Sequence, residues 1–339
     1  MHEIAYLEFS AEDHASTVDY FAGSLGFVET AICKTPGSTS TLLCQGTIWL
    51  VVSSGAAHAA FLERHGDGIS DIAFSCSDVP AAIERAMSAG ARRLGPSTLS
   101  GFGGVRHTLV PPKPNTAAGH TFPDERLWTP VPARSGGCEG FVRGLDHIAV
   151  LVEAGTLYDT VRYYEDGFGF KQYSSEYVEV GAQAMDSVVV RSGSGRSTFT
   201  IIEPDASREA GQVDGFLRRN GGAGVQHLAF DVEHIVTAVR EYRERGVEFL
   251  TTPDAYYAML TGRVGHLGEF VMDLRDTDVL ADRDEWGYLL QLFTRSPLPR
   301  NTIFYELIQR NGAKGFGSAN IRALYESVER ERETSELTV

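Results

Sequence analysis

Two stretches of this chain run through the same order of elements 143 residues apart, and that repetition restricts the fold more than any other feature. The first stretch has a strand pattern over Ile4 to Phe9, a helical stretch through Tyr20 and Phe21, and the turn Leu25-Gly26-Phe27. The second has a strand pattern over Leu145 to Val150, a helical stretch through Tyr163 and Tyr164, and Phe168-Gly169-Phe170. A further pair follows in the same order. His65 to Phe74 is a Gly-rich turn entering a strand, with a helical run after Asp78; Asn220 to Phe230 does the same, with a helical run after Glu233. Two matched pairs predict duplicated α+β modules. The length agrees, since 339 residues suit two domains of roughly 100–200 residues each.

Between the copies, Pro111 to Gly140 holds six of the 13 prolines. Proline cannot donate to a ladder, so this stretch reads as an exposed linker. It divides the chain into residues 1–137 and 138–339. The second module is longer and ends in Gly315-Phe316-Gly317, followed by a helical pattern with Ile321, Leu324, Tyr325 and Val328 on one face. From spacing alone, that helix is a packing element or a lid.

Composition narrows the class of function. Thirty basic against 45 acidic residues leave a net charge of −15, against the basic face expected of a nucleic-acid or anionic-membrane binder. No run of 18 apolar residues exists, and the N-terminus lacks a basic segment followed by an apolar one, so neither a membrane span nor a secretory signal is predicted. The four cysteines (Cys33, Cys44, Cys76, Cys138) form no C-x-x-C pair and are expected as reduced thiols. A cytoplasmic enzyme or binding protein is the expectation.

The chemistry concentrates in the second module. By period-2 alternation His147 shares a strand face with Leu145, Ala149 and Leu151, and His227 with Val225 and Ala229. Glu306 shares one with Phe304 and Ile308. A carboxylate facing an apolar surface loses its charge or finds a cation. Two imidazoles and one carboxylate would supply such a site, and the 2-His-1-carboxylate set, with open positions, suits non-haem Fe(II). A single histidine on a strand is commonly a hydrogen-bonded core residue. The repeat argues otherwise, because the first module has Ile4 and Asp71 at the matching positions of His147 and His227. His2, His14, His58, His65, His107, His120, His234 and His266 fall in expected loops, turns, helices or the linker and read as solvated. Gly101 to Gly104 has no helix start behind it, Gly221 to Gly224 opens a strand, and no G-x-S-x-G occurs, so phosphate, dinucleotide and nucleophile-elbow motifs are absent.

The contexts Leu-Asp-His147, Gly-Val-Gln-His227-Leu-Ala-Phe and Phe-Tyr-Glu306-Leu-Ile-Gln-Arg, with the ending Gly-Phe-Gly-Ser-Ala-Asn-Ile-Arg-Ala-Leu-Tyr-Glu, together resemble the 4-hydroxyphenylpyruvate dioxygenase family. The resemblance covers nearly the whole chain and is denser in the second half. It implies tandem vicinal-oxygen-chelate modules (glyoxalase/bleomycin-resistance/extradiol-dioxygenase-like), each a pair of βαβββ units forming an open barrel. It also implies Fe(II) held by His147, His227 and Glu306, with 4-hydroxyphenylpyruvate and O2 as substrates. The C-terminal helix becomes a lid, and the first module becomes metal-free and available for self-association.

The family has two branches, one forming homogentisate and one, 4-hydroxymandelate synthase, hydroxylating the benzylic carbon in supply of antibiotic precursors. Dioxygenases proper tend to have Pro-Leu-Asn-Glu-Pro where this chain has Thr200-Ile201-Ile202-Glu203-Pro204. Ile202 in place of Asn removes a polar contact, worth about 1–3 kcal/mol and enough to redirect a product partition. That substitution, Gly181 to Met185, and Ile321 and Tyr325 in place of Phe resemble the hydroxymandelate branch. The resemblance places Ser187, Thr200, Ile202, Gln212, Gln226, Gln291, Phe293, Phe304, Phe316 and Asn320 around the substrate, with Phe304 stacking on its ring. The rival readings are a homogentisate-forming enzyme, a metal-free binding protein on the same scaffold, and a Zn- or Ni-dependent isomerase.

Overall fold

The computed structural model describes residues 3–112, 126–132, 137–265, 270–317 and Asn320, and its strands form two eight-stranded sheets. The first holds β1 (Ile4–Ser10), β2 (Val28–Thr35), β3 (Ser38–Gln45), β4 (Ile48–Gly55), β5 (Gly68–Ser75), β6 (Thr98–Ser100), β7 (Arg106–Val110) and β8 (Thr129–Pro130). The second holds β9 (Val142–Leu151), β10 (Lys171–Val180), β11 (Gln183–Arg191), β12 (Thr198–Pro204), β13 (Gly224–Val232), β14 (Leu280–Arg283), β15 (Tyr288–Phe293) and β16 (Phe304–Asn311).

The spatial orders are β6-β7-β5-β1-β4-β3-β2-β8 and β10-β11-β12-β9-β13-β16-β15-β14. Reversed, the first order matches the second over seven strands, β2-β3-β4-β1-β5-β7-β6 against β10-β11-β12-β9-β13-β16-β15, with β8 and β14 left as extra strands at opposite ends. In both sheets the first strand pairs antiparallel to one neighbour (β5, β13) and parallel to the other (β4, β12). The duplication is therefore structural, as the paired sequence motifs predict.

Helices α1 (His14–Asp19), α2 (Ala59–His65) and α3 (Val79–Ser88) belong to the first half; α4 (Leu157–Arg162), α5 (Gln212–Asn220), α6 (Ile235–Glu244), α7 (Asp254–Val264) and α8 (Phe270–Asp276) belong to the second. α1 and α4 each run on into a π-turn, Tyr20–Ser24 and Tyr163–Gly167, at the same offset as the sequence repeat. α3 starts where Asp78 accepts from the Ala81 amide and buries Ala82, Ile83 and Ala86. Where the halves meet, Phe74, Phe168, Phe170, Phe199 and Tyr164 pack ring to ring. Each buried aromatic of this kind contributes about 1.5–3 kcal/mol.

The register of the two central pairs carries a detail that alternation alone misses. Leu145 and His147 oppose Phe230 and Ala229, so Asp146 is an extra residue bulged out of β9. Val225 and His227 oppose Val150 and Ala149, which makes Gln226 a bulge in β13. Val225 therefore joins the hydrophobic core with Val150 while His227 faces the barrel interior, correcting the shared face expected from a regular strand. The first half has bulges at the matching places, Ala5 and Ser70. Aligned by register, Tyr6 rather than Ile4 matches His147, Asp71 matches His227, and Thr108 matches Glu306.

The interior of the first barrel closes on itself. Thr108 donates to Asp71 at 2.6 Å, and Glu8, 2% exposed, accepts from Arg126 at 2.5 Å and from Ser53 at 2.7 Å. Arg106 stands 3.5 Å from the same carboxylate. Burial lifts the Asp71 carboxyl to about 6, while Arg126 and Ser53 hold Glu8 below its ordinary value against its burial.

Other expectations need correction. Cys44 and Cys138 form a disulfide, so only Cys33 and Cys76 are free thiols; Cys138, near the end of the proline-rich stretch, reaches back to β3, a geometry that spacing does not reveal. Part of that stretch is not loop, because Thr129–Pro130 pair with β2 at a sheet edge, where proline is tolerated. His58, His65 and His107 are buried rather than solvated, bonded to the Ser10 hydroxyl, the Asn220 carbonyl and the Tyr164 hydroxyl. His2, His120, His266 and the helix expected from Ile321 through Tyr325 and Val328 lie outside the described residues.

Candidate metal centre

His147 on β9, His227 on β13 and Glu306 on β16 come from three adjacent strands and meet inside the second barrel. Their exposures are 4%, 8% and 1%. The two Nε2 atoms are 3.4 Å apart, and Glu306 Oε2 lies 3.4 Å from His147 Nε2 and 3.3 Å from His227 Nε2.

The bulges explain how the rings are aimed. A bulge turns neighbouring side chains toward one side, so Asp146 Oδ1 reaches His147 Nδ1 at 2.8 Å and Gln226 Oε1 reaches His227 Nδ1 at 3.2 Å. Both partners are acceptors, so each Nδ1 carries the proton and each Nε2 presents a lone pair. Burial pushes the His227 imidazole below its ordinary value, which keeps it neutral although Glu306 pulls the other way. On the carboxylate, Gln291 Nε2 donates to Oε1 at 2.7 Å and leaves Oε2 turned to the histidines. Two lone pairs and an anionic oxygen facing one another in a buried space call for a cation. Donor atoms about 2.0–2.2 Å from one ion would stand about 3 Å apart in neighbouring positions, close to what is seen. The three residues fit a divalent metal.

A cavity of about 540 Å³ opens beside the triad and is lined by Ile202, Gln226, His227, Phe293, Phe304 and Phe316, among others. That volume suits a small organic ligand. A larger cleft of about 690 Å³ runs along the seam of the two sheets past Ile4, Tyr6 and Trp49. It is lined by none of the three converging residues, whereas the smaller cavity is lined by His227 and Glu306.

A family model described as the Glyoxalase/Bleomycin resistance protein/Dioxygenase superfamily matches residues 144–292. The chain is 32% identical over 295 residues to a 4-hydroxyphenylpyruvate dioxygenase of Coccidioides posadasii, covering 80% of this chain and 73% of that one. It is 30% identical over 302 residues to the 4-hydroxyphenylpyruvate dioxygenase of Dictyostelium discoideum, covering 82% and 81%. The chain belongs to the 4-hydroxyphenylpyruvate dioxygenase family. A solved structure of a 4-hydroxymandelate synthase variant from Streptomyces coelicolor superposes with a TM-score of 0.89 at 49% identity, over 97% of this chain and 99% of that one. A fusion of a xylose isomerase-like TIM barrel with a 4-hydroxyphenylpyruvate dioxygenase gives 0.77 at 26% identity, over 96% and 52%. This member of the dioxygenase family is therefore an enzyme of the non-haem type on tandem vicinal-oxygen-chelate modules.

Within that family frame, the expected pocket residues divide. Ile202, Gln212, Gln226, Gln291, Phe293, Phe304 and Phe316 line the cavity. Ser187, Thr200 and Asn320 are not in its lining. Ser187 donates to the Glu176 carbonyl at 3.0 Å, and Asn320 is buried between Gln291 and Tyr256. Thr200, opposite Ala149, keeps a buried hydroxyl with no partner among the described residues. Phe304 stacks on the His227 imidazole at 4.9 Å and 27°, so one face of its ring is engaged by the ligand rather than free for a substrate. Phe316 stands edge-on to His147 at 5.2 Å.

Two residues of the centre escape a reading based on ligand types. Asp146 is held by Arg310, with Nε to Oδ2 at 2.6 Å and Nη2 to Oδ1 at 2.9 Å. Burial opposes ionisation of Asp146, yet the Arg310 and His147 contacts hold its carboxyl far below the ordinary range. The signal was present, since Asp146 adjoins one ligand and Arg310 lies four residues past another.

Proposed function

We propose that the chain is an Fe(II)-dependent oxygenase that converts 4-hydroxyphenylpyruvate and O2 into 4-hydroxymandelate and CO2. The observation that carries the branch is Ile202 in the cavity wall, two residues from Thr200 on the same strand face. An apolar residue there offers no hydrogen bond to oxygen arriving on the ring. The likeness to a 4-hydroxymandelate synthase at 49% identity, against 30–35% for the 4-hydroxyphenylpyruvate dioxygenases, supports the same reading.

His147, His227 and Glu306 would hold the iron, which when bound supplies the electrons that activate dioxygen. The protein's own residues do the rest. Asp146 and Gln226 keep the ring protons away from the centre, and Gln291 steadies Glu306. Phe293, Phe304 and Phe316 border the cavity with apolar rings that exclude water from the reacting atoms and leave an aromatic substrate ring room to pack. In this reading residues 138–339 form the catalytic module. Residues 1–137 are structural, their matching positions being Tyr6, Asp71 and Thr108.

Aerobic turnover of 4-hydroxyphenylpyruvate with Fe(II), followed by product identification, tests the proposal. 4-Hydroxymandelate as the main product supports it. Homogentisate as the main product moves the chain to the other branch and leaves the metal site intact.

A further inference from the structure

Arg310 ties the backbone of Ala313 and Gly315 to Asp146, the residue behind the His147 ring. Its guanidinium uses two nitrogens to grip both oxygens of Asp146, at 2.6 and 2.9 Å, and Asp146 in turn accepts from His147 Nδ1 at 2.8 Å. The third nitrogen, Nη1, donates to the Gly315 carbonyl at 2.6 Å and the Ala313 carbonyl at 3.3 Å. The Phe316 ring centroid lies 5.1 Å from the guanidinium carbon, and the same ring packs edge-on against His147. His147 is thus held from behind by Asp146 and from the side by Phe316, and both supports converge on Arg310.

The same segment touches a second ligand by a separate route. Gln291 Nε2 donates to Glu306 and lies 3.3 Å from the Phe316 carbonyl, while its Oε1 accepts from Asn320 at 3.0 Å.

We propose that Arg310 is a positioning residue that couples the fold of Ala313–Phe316 to the orientation of His147, so that seating this segment and binding the metal stabilise one another. The inference rests on the reading of His147, His227 and Glu306 as a metal site. Only a planar fork of donors can meet a carboxylate on one edge and backbone carbonyls on the other; a lysine ammonium cannot. Coupling of this kind is reciprocal: if the segment orients the ligand, the metal must order the segment.

Two measurements on apoprotein and Co(II)-loaded protein test the coupling without reference to turnover. In the unaltered protein, Co(II) should slow amide exchange across 313–317 several-fold. Arg310→Lys should weaken Co(II) binding by about tenfold or more, measured by competition with a chromophoric chelator, alter the Co(II) ligand-field spectrum, and abolish the metal-dependent slowing of exchange. Unchanged exchange at 313–317 on loading the unaltered protein overturns the proposal. So does an Arg310→Lys variant with the parent's affinity, spectrum and exchange. His227→Ala separates this from failure of the metal reading: if that variant binds Co(II) as tightly as the parent, the site itself is misassigned.

Discussion

A neutral Nε2 on a buried histidine needs an acceptor behind the ring, and both acceptors here sit one residue before the histidine they serve. That arrangement predicts graded effects of substitution. His227→Ala should abolish stoichiometric iron binding, read by metal analysis of the purified protein. Gln226→Leu keeps the ligand but removes its acceptor, and should weaken iron affinity about 10–100-fold by chelator competition. Equal affinity in Gln226→Leu and the parent would show that the bond at 3.2 Å does not aim the ring. Ile202→Asn should divert product toward ring oxidation, read as the homogentisate-to-hydroxymandelate ratio; an unchanged ratio would remove this position from control of the outcome. His147, His227 and Glu306 stand out in the sequence because a charged or imidazole side chain on an apolar strand face is conspicuous, and the structure brings the three together. Asp146 and Arg310 lie close to two of these residues in sequence, but an acid or a base beside a conspicuous residue reads equally well as a solvated charge. Their pairing joins β9 to β16, strands far apart in the chain that flank β13 in the sheet.

Bulges are invisible to a reading by alternation. A bulge exists only relative to a partner strand, and the partner is not known until the sheet is assembled. That is why Val225 was expected beside His227 and instead lies in the core. A hairpin glycine is tied to its surroundings in a way the structure makes explicit. At Gly46, between β3 and β4, φ is +54° and an added Cβ would stand 2.3 Å from the Arg143 carbonyl oxygen near the start of β9. Gly46→Ala therefore meets both left-handed strain and a backbone clash at the contact between the halves. It should cost about 1–3 kcal/mol in denaturant unfolding. A variant as stable as the parent would mean that the hairpin moves away from β9 without loss.

The duplication is the part of the whole molecule most visible in the sequence; the ties between its halves are the least. The Cys44–Cys138 bond spans 94 residues and pins the start of the second half to β3. Reduction, or Cys138→Ser, should lower unfolding stability by about 2–4 kcal/mol while leaving iron affinity unchanged. His107 marks the seam more deeply: fully buried, it hydrogen-bonds Tyr164 of the other half at 2.7 Å, and burial depresses its imidazole to about 4. An imidazole that stays neutral in the fold but takes a proton near 6.5 when unfolded contributes stability above pH 6.5. That contribution, about 3 kcal/mol, is lost as pH falls toward 4. His107→Gln should flatten the decline in unfolding free energy between pH 6.5 and 4; the same slope in both proteins would mean that another group sets the acid limit.

The first barrel offers a contrast in how a hollow sheet can tolerate acid at its centre. There the counter-charge to Glu8 is covalently resident, supplied by Arg126 and Arg106, and cannot be dialysed away. A chelator should accordingly divide the molecule: the C-terminal half would loosen around an unneutralised carboxylate, while its N-terminal twin, carrying its own permanent cations, would remain indifferent.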